Sequence, residues 1–445
     1  MSFQLPPNFL HHIQHLPGLD ESRFVLAHQE PAPTSVRLNP EKASSIFNDA
    51  KHVAWCEHGR YLEIRPDFTL DPLFHAGAYY VQEASSMSIW SALNDLVFDK
   101  KDLRVLDLCA APGGKSTLIA SWLAGEGLLV ANEVIRSRAG ILTENLNRWG
   151  SANTIVSNND PRQFGKLEGY FDVIVIDAPC SGSGMFRKDH SALDHWSEDA
   201  VLHCAARQER ILADVWPALK EGGLLLYSTC SYSEAEDENM SSFIRDELQG
   251  EIISLPSLDS LSSIIKIPMG YRFYPGQIDG EGFYLSAIRK TAETEIPYYK
   301  TAFQALPIPA QVAQWMAKPD AFVYSQTHLG AGVIPEGLHE AIPPLLKHLH
   351  IIKCGILAGE MKGKDFIPSH EMALSSILRE DIPQLELERE EALHYLKKEA
   401  LRGRGDCKGW HRMNYKGFGL GWGNVLPNRI NNALPKSWRI LKELE

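Results

Sequence analysis

The middle of the chain alternates short apolar, β-branched segments with longer amphipathic ones. Five segments predict buried strands, at residues 104–108, 128–132, 155–157, 173–177 and 224–228. Between the last two, residues 198–219 place apolar side chains at helical spacing, and Gly222 and Gly223 are predicted to end that helix. This alternation is typical of βαβ units, so it predicts an α/β fold around a parallel sheet.

The pattern also predicts units on either side of this sheet. A polar helix at 234–248 and strands at 271–274 and 282–288 continue it to about Lys290. Segments 35–40 and 61–66 alternate like strands of a small α+β module, and 296–309 carries the prolines of a linker. Residues 300–390 have a helical, globular character. We therefore predict four domains, at residues 1–75, 76–292, 300–385 and 386–445.

Composition and charge narrow the class of protein. A chain of 445 residues is too long for one core, and a net charge of −12 argues against a surface that binds polyanions everywhere. Its seven cysteines form no CxxC cluster, which indicates reduced thiols without disulfides or a metal. No apolar run reaches membrane-spanning length and no signal segment begins the chain. We expect a soluble, cytoplasmic protein that binds no membrane.

A glycine-rich turn follows the first predicted strand. It consists of Cys109, Ala110, Ala111, Pro112, Gly113, Gly114 and Lys115. A phosphate-binding P-loop would need glycine in place of Cys109, and Pro112 removes one backbone donor. The pattern therefore favours a Rossmann-like pocket, in which Gly113 and Gly114 let the backbone approach a nucleoside.

Four acidic residues stand at or just beyond the ends of these strands. They are Asp107, Glu133, Asp160 and Asp177. Four carboxylates in one crevice would repel a pyrophosphate but tolerate the cationic, phosphate-free S-adenosylmethionine. Glu133 is spaced to bind ribose hydroxyls and Asp160 to meet an adenine edge, although each acid alone could equally be a cap or turn residue.

Two cysteines, Cys180 and Cys230, each lie just past a predicted buried strand. If those strands are neighbours, both thiols can face one pocket. Methylation of a pyrimidine at carbon 5 needs a thiolate that adds to carbon 6, and Asp177 is placed to support the ring nitrogen. Four other thiols fit the commoner role of small buried hydrophobes: Cys56, Cys204, Cys354 and Cys407.

The segments 107–117, 171–189 and 225–239, with 74–87 and 282–290, resemble the Sun/Nop-type RNA cytosine-5 methyltransferases. The resemblance implies that Cys230 is the nucleophile and that Cys180 helps to break down the covalent adduct. Spacing alone would equally allow Cys180 to attack. The resemblance also implies that S-adenosylmethionine contacts residues 109–115 together with Glu133, Arg138, Asp160 and Asp177.

A basic stretch near the carboxyl terminus suggests where RNA binds. Residues 395–440 hold ten lysines and arginines against two acidic residues. Aromatic residues lie among them: Trp410, Tyr415, Phe418, Trp422 and Trp438. They either grip phosphates and bases or form the core of a small β-barrel. Segment 415–423 resembles the PUA-like extension of RsmF-like ribosomal RNA enzymes. Nearer the pocket, Arg187, Lys188 and Asp189 could lead RNA inward or form a salt-bridged turn.

Together these features predict a Rossmann-like methyltransferase with an N-terminal α+β RNA-binding module and a C-terminal PUA-like region. The expected reaction transfers a methyl group from S-adenosylmethionine to carbon 5 of a cytosine in RNA, which the PUA-like resemblance suggests is 16S ribosomal RNA, within the small subunit. Two alternatives stay open: methylation of transfer RNA, and a non-catalytic role in ribosome assembly. We expect a monomer without a bound metal.

Overall fold

The computed structural model describes residues 5–42, 46–188, 190, 192–295, 297, 299, 306–327, 330–363, 365–405 and 407–444. Much of the predicted linker at 296–309 lies outside the described residues, as do Asp189 and Asp406 from the two predicted RNA-binding segments.

The N-terminal unit is a four-stranded antiparallel sheet with three helices. Its strands are β1 (Thr34–Leu38), β2 (His52–Val53), β3 (Cys56–Leu62) and β4 (Tyr79–Val81), in the order β2-β3-β1-β4, and its helices are α1 (Pro7–Ile13), α2 (Glu21–Gln29) and α3 (Pro72–His75). The strand predicted at 61–66 is wrong beyond Leu62. Pro66 has no N–H for a sheet ladder, so the chain turns away before it.

The described residues of the central unit form nine strands and seven α-helices. The strands are β5 (Arg104–Asp107), β6 (Leu128–Asn132), β7 (Thr154–Ser157), β8 (Phe171–Asp177), β9 (Leu219–Thr229), β10 (Gly250–Ile253), β11 (Ile265–Ile267), β12 (Gly270–Phe273) and β13 (Phe283–Lys290). The helices are α4 (Ile89–Leu96), α5 (Gly114–Leu123), α6 (Arg136–Trp149), α7 (Ala192–His195), α8 (Glu198–Val215), α9 (Glu238–Asp246) and α10 (Pro256–Asp259).

The five predicted strands of the central unit are β5 to β9, and they are parallel neighbours. The sheet runs β11-β12-β13-β9-β8-β5-β6-β7, with β13 antiparallel to β9 and β10 paired with β13. Strands β8 and β9 lie side by side, as the argument about the two cysteines required. Because parallel strands present their carboxyl ends at one edge, the residues that follow β5, β6, β8 and β9 meet there.

One predicted boundary in the central unit is wrong. Helix α8 ends at Val215, and a 3₁₀ turn at Trp216–Ala218 contains Pro217. Strand β9 then begins at Leu219, so Gly222 and Gly223 lie inside the strand. Gly222 has a φ of +72°, which only glycine adopts readily. The glycine pair therefore bends a strand and does not end the helix.

The sheet is buried on both faces. Val105 and Val173 pack with α4, α5 and α6 on one side, and Leu106 and Ile174 pack with α8 on the other. Each large side chain buried in this way contributes about 1.5–3 kcal/mol of hydrophobic stabilisation. This two-sided burial explains why β5 to β9 each contain a mainly apolar segment in the sequence.

In the C-terminal part, eleven strands and four α-helices lie among the residues that the structure describes. The strands are β14 (Phe322–Thr327), β15 (Gly330–Pro335), β16 (Ile351–Cys354), β17 (Ile356–Leu357), β18 (Gly359–Lys362), β19 (Asp365–Pro368), β20 (Gln384–Glu386), β21 (Leu401–Arg402), β22 (Gly409–Tyr415), β23 (Phe418–Leu426) and β24 (Arg429–Asn432). The helices are α11 (Ala310–Ala313), α12 (Ile342–His348), α13 (His370–Leu374) and α14 (Arg389–Leu396). Along the whole chain, further short 3₁₀ helices cover Phe68–Leu70, Ser85–Ser88, Pro161–Lys166, Ser183–Met185, Pro319–Ala321, Glu336–Ala341 and Lys436–Trp438.

The expectation that residues 300–390 are mainly helical is wrong, because β14 to β19 lie there. Strand β16 pairs antiparallel with β7 and makes the central sheet ten-stranded. The last five strands form a separate sheet in the order β20-β22-β23-β24-β21. None of the helices that the structure describes is long and apolar enough to cross a membrane.

Two aromatic residues of the basic stretch are core residues. Trp422 is 1% exposed, its indole N–H donates to the carbonyl oxygen of Ser369 at 2.7 Å, and its ring lies 5.2 Å from that of Trp315. Tyr415 belongs to a core that the C-terminal sheet shares with the N-terminal unit, through residues such as Val36 and Leu73. For these two side chains the core role is confirmed, and the described strands around them form an open five-stranded sheet and not a β-barrel.

Candidate active site

The glycine-rich turn joins the end of β5 to the start of α5. Gly113 has a φ of +117°, in the left-handed region, and α5 begins at the next residue. Asp107 at the end of β5 is fully buried and accepts a hydrogen bond of 2.6 Å from the Ser116 hydroxyl. Burial raises the pKa of Asp107 to about 7. This hydrogen bond connects the end of β5 to the first turn of α5. Asp107 does not line the cavity beside the turn.

A cavity of about 350 Å³ opens between this turn, the ends of β8 and β9, and the N-terminal unit. Eight predicted site residues line it: Cys109, Ala110, Ala111, Pro112, Gly114, Lys115, Asp177 and Cys230. The other predicted residues, Gly113, Glu133, Arg138, Asp160 and Cys180, lie outside its lining. The structure thus brings the turn, the acid of β8 and one of the two cysteines to a single cavity.

Lys115 and Asp177 form an ion pair inside this cavity. The Nζ atom of Lys115 lies 2.7 Å from Oδ2 of Asp177 and 5.1 Å from the centre of the Phe283 ring. The second carboxylate oxygen of Asp177 accepts a hydrogen bond of 3.2 Å from the Ser228 hydroxyl. The pair holds a cation and an anion side by side, where they can contact a polar ring.

Glu133 and Arg138 brace the turn from the β6 side. Glu133 is 3% exposed, and its Oε1 accepts a hydrogen bond of 2.8 Å from the Ile135 N–H. Arg138 Nη1 lies 3.6 Å from Oε2 of Glu133, and Arg138 Nη2 donates to the carbonyl oxygen of Ala111 at 2.8 Å. Their arrangement fixes the backbone at Ala111.

Asp160 has the contacts of a cap. Its carboxylate accepts from the Arg162 N–H at 3.1 Å at the start of a 3₁₀ turn, and Arg210 Nη1 lies 3.3 Å from Oδ2. These contacts fit the capping alternative; its predicted contact with adenine stays a prediction.

The two cysteines face each other. The sulfur atoms of Cys180 and Cys230 are 3.0 Å apart, and both are free thiols. The hydrogen bond with Cys230 raises the pKa of the Cys180 thiol, and burial and the nearby Glu236 carboxylate raise it further. Both cysteines are partly exposed, and of the two only Cys230 lines the cavity. The thiol that a ligand in the cavity can reach is therefore in contact with a second thiol.

The loops that carry these thiols are tied together by backbone and side-chain bonds. The Gly184 N–H donates to the carbonyl oxygen of Cys230 at 2.7 Å. Fully buried Glu236 accepts from the Ser181 N–H at 2.7 Å, from the Ser181 hydroxyl at 2.6 Å and from the Ser231 hydroxyl at 2.5 Å. One carboxylate thus binds the residues that follow both cysteines.

Comparison with known proteins places this geometry in a family. The family model described as 16S rRNA methyltransferase RsmB/F matches residues 96–289, and models for the N-terminal and PUA domains of RsmF match residues 5–84 and 383–440. The chain is 31% identical to the ribosomal RNA small subunit methyltransferase F of Vibrio parahaemolyticus, over 97% of both chains. It belongs to the RsmB/F family of methyltransferases.

Other relatives agree with this assignment. Ribosomal RNA small subunit methyltransferase F of Psychromonas ingrahamii is 32% identical over 93% of this chain and 92% of its own. A methyltransferase homologue from Pyrococcus horikoshii is 29% identical, with a TM-score of 0.53 over 64% of this chain and 94% of that one. NSun6 from the same organism, at 19% identity and a TM-score of 0.55, covers 65% of this chain and 99% of its own, and shows the fold alone. The predicted fold class, with its PUA domain, is confirmed.

This RsmB/F methyltransferase also has cavity residues that the sequence argument did not single out. Tyr80, Gln82 and Glu83 of the N-terminal unit line the cavity, although they lie in a stretch that carried the resemblance. Glu281 lines it as well. The sequence signal for Tyr80, Gln82 and Glu83 was their position inside segment 74–87, which carried the resemblance. Glu281 precedes segment 282–290 and had no such signal.

The predicted RNA-guiding pair divides between two roles. Lys188 is exposed and lines the cavity. The Arg187 side chain is 6% exposed, and it donates to the carbonyl oxygens of Glu30 and Pro31 at 3.1 and 2.9 Å. Arg187 therefore does not lead RNA along the surface; it fastens the Cys180 loop to the N-terminal unit. Among the described residues there is no cluster of side chains suited to a metal ion.

Proposed function

We propose that this protein transfers a methyl group from S-adenosylmethionine to carbon 5 of a cytosine in small-subunit ribosomal RNA. The observation that carries the proposal is the pair of thiols 3.0 Å apart, of which Cys230 lines the cavity beside the glycine-rich turn. A reaction that forms and then breaks a sulfur–carbon bond needs one thiol in reach of the substrate and a second group close behind it.

The proposed roles follow from where each side chain lies. The Cys230 thiolate adds to carbon 6 of the base, and the electrons of the carbon 5–carbon 6 double bond form the new bond from carbon 5 to the methyl group. The bond from the methyl group to the sulfonium sulfur breaks, and S-adenosylhomocysteine leaves. Asp177 and Lys115 support the polar edge of the ring while charge builds up on it. The Cys180 thiolate takes the proton from carbon 5, and the electrons of that carbon–hydrogen bond restore the double bond and expel the Cys230 thiolate.

The cavity suits the proposed methyl donor. S-adenosylmethionine supplies an electrophilic methyl group on a sulfonium and carries no phosphate. Residues of the turn from Cys109 to Lys115 line the cavity, Glu133 and Arg138 brace that turn, and Asp177 provides negative charge. A positive, phosphate-free ligand fits these carboxylates better than a dinucleotide does. We propose Cys109, Ala110, Ala111, Pro112, Gly113, Gly114, Lys115, Glu133, Arg138, Asp160 and Asp177 as the donor-binding set.

Ribosomal RNA as the substrate is supported by relatives that match along almost the whole chain and are named for the small ribosomal subunit. It is supported further by the match of residues 383–440 to the RsmF PUA domain. The protein would meet this RNA in the cytoplasm, and we expect it to act as a monomer. Bisulfite sequencing of ribosomal RNA from cells with and without the gene identifies the modified cytosine; an unchanged pattern would refute the proposal.

Trapping separates the roles of the two thiols. Cys180→Ala is expected to accumulate a covalent protein–RNA adduct, because Cys230 can still attack while release is impaired. Cys230→Ala is expected to form no adduct and to lose methyl transfer by at least about a thousandfold, since nothing replaces the nucleophile. The adduct is measured by denaturing gel electrophoresis with labelled small-subunit RNA, with Cys407→Ala as a control outside the cavity. An adduct in Cys230→Ala alone would reverse the assignment.

A further inference from the structure

Glu281 is one of the residues that line the cavity. It precedes β13, and its side chain is 5% exposed. Its backbone is held firmly, because its N–H donates to Oε1 of Glu83 at 2.9 Å and its carbonyl oxygen accepts from the Ser85 hydroxyl at 2.8 Å. Its position is therefore set by the backbone, independently of what its carboxylate binds.

Neither carboxylate oxygen of Glu281 accepts a hydrogen bond from the described residues. The nearest charged partner is Nη1 of Arg187 at 3.9 Å, which is ion-pair distance and too long for a hydrogen bond. Burial raises the pKa of the Glu281 carboxyl, against the nearby Lys188 and Arg187, which lower it. A buried acceptor without a donor is unfavourable, so its retention in a cavity wall points to a donor on the ligand.

The other acids of the cavity are already occupied. Asp177 is paired with Lys115 and bonded by Ser228. Glu83 accepts hydrogen bonds from the N–H groups of Ser85, Ser86 and Glu281. Of the three carboxylates that line the cavity in the described part of the chain, only that of Glu281 has both oxygens unbonded.

The bases of RNA differ in what they offer such an acceptor. Cytosine presents an exocyclic amino group, which donates, whereas uracil has a carbonyl oxygen at the same place. A carboxylate would attract the first and repel the second. A site built around a hydrogen bond discriminates strongly against a ligand that cannot make it, because a buried group is then left unpaired.

We propose that Glu281 is a specificity-determining residue that accepts a hydrogen bond from the exocyclic amino group of the target cytosine. This assignment rests on the proposed function. It divides the work of the cavity between two acids: Asp177 with Lys115 supports the reacting ring, and Glu281 selects the base.

The test compares two RNAs and several variants. The probes are small-subunit ribosomal RNA transcripts with cytosine, or with uracil, at the position that the wild-type protein methylates. The uracil transcript serves as a competitive inhibitor. Wild-type protein is expected to bind it at least about tenfold more weakly than the cytosine transcript. In Glu281→Gln this difference shrinks by about tenfold, because an amide carries both a donor and an acceptor. Glu281→Asp keeps an acceptor-only group and retains the preference.

The controls separate base selection from structural effects. Affinity for S-adenosylmethionine, measured by calorimetry, stays within about twofold in Glu281→Gln. Exposed Glu57, changed to Gln, gives wild-type values throughout. An equal loss of affinity for both transcripts would show that the hydrogen-bond donor to Glu281 is not the base, or that Glu281 serves only Arg187. Either result would overturn the assignment. Weakened binding of S-adenosylmethionine in Glu281→Gln would also overturn it. If the wild-type protein transfers methyl groups and Glu281→Gln keeps the full preference for the cytosine transcript, only the assignment of Glu281 is refuted. If the wild-type protein transfers no methyl group, the proposed function is refuted as well.

Discussion

Glu236 connects the two cysteine loops through a single buried side chain. Its oxygens accept hydrogen bonds from Ser181 and Ser231, and Gln208 Nε2 lies 3.4 Å from Oε1. Burial raises the pKa of Glu236, and the hydrogen bonds from Ser181 and Ser231 oppose that rise. In turn the Glu236 carboxylate contributes to the raised pKa of Cys180. Glu236 is therefore a positioning residue that also affects the pKa of the Cys180 thiol.

We expect Glu236→Gln to slow methyl transfer by about tenfold or more, because an amide cannot satisfy the same donors. It should also shift the acid limb of the pH profile of kcat to lower pH, since removal of a negative charge lowers the pKa of Cys180, which acts as the base after methyl transfer. Rates measured across pH with small-subunit RNA check both effects. Glu234→Gln, two residues away and about half exposed, is the matched control. Identical profiles for the two variants would contradict this account.

At the scale of elements, the loop after β8 meets the end of β9 at a glycine. A Cβ atom at Gly184 would lie 2.1 Å from the carbonyl oxygen of Cys230, far inside van der Waals contact. Gly182 of the same loop has a φ of +81°, but a Cβ there would meet nothing within 4 Å. The two glycines therefore serve different purposes: one allows two loops to touch, and the other allows a turn.

Gly184→Ala is expected to lower methyl transfer by at least about tenfold, because the methyl group pushes Cys230 away from the cavity. Gly182→Ala should keep most of the transfer rate and lose about 1–2 kcal/mol of stability through its left-handed backbone. Single-turnover rates and thermal unfolding of the two proteins distinguish these effects. Equal rates in both variants would show that contact with Cys230 at Gly184 is unimportant.

Elements differ in how far the sequence could predict them. Strands β5 to β9 were predictable because each contains a mainly apolar segment that is buried in the sheet, such as Leu224–Tyr227 of β9. Strand β16 is only four residues long, and its place beside β7 depends on a distant pairing that leaves no local pattern. The cysteines and the glycine-rich turn could be found from residue type and spacing. Glu236 and Glu281 could not, since an acidic residue in a loop gives no sign that packing will bury it.

At the scale of the whole molecule, one arginine joins the N-terminal unit to the central sheet. Arg37 of β1 is fully buried; it donates to Oε1 of Gln82 at 2.8 Å and to Oγ1 of Thr117 in α5 at 2.6 Å. Its guanidinium also lies 4.6 Å from the Trp149 ring of α6. Because Gln82 lines the cavity, this contact links the joint between units to the shape of the site.

Arg37→Met is expected to cost about 3 kcal/mol of stability, since it leaves Gln82 and Thr117 without their buried donor. It should also raise KM for RNA more than it changes donor affinity, because Gln82 belongs to the wall that the N-terminal unit supplies. Arg23→Met removes an exposed ion pair with Asp20 and should change stability by less than about 0.5 kcal/mol. Thermal unfolding and steady-state kinetics measure both. Equal midpoints for the two variants would exclude a joining role for Arg37.

The pairing of β16 with β7 affects how the protein is made. The edge of β7 exposes a row of backbone N–H and C=O groups until Ile351–Cys354 lies beside it. During synthesis, therefore, all the residues around the two thiols have left the ribosome well before the strand that covers this edge. In that interval the nascent chain carries an open sheet edge that could pair with another chain. The C-terminal half thus acts as the cover that completes and protects the catalytic half.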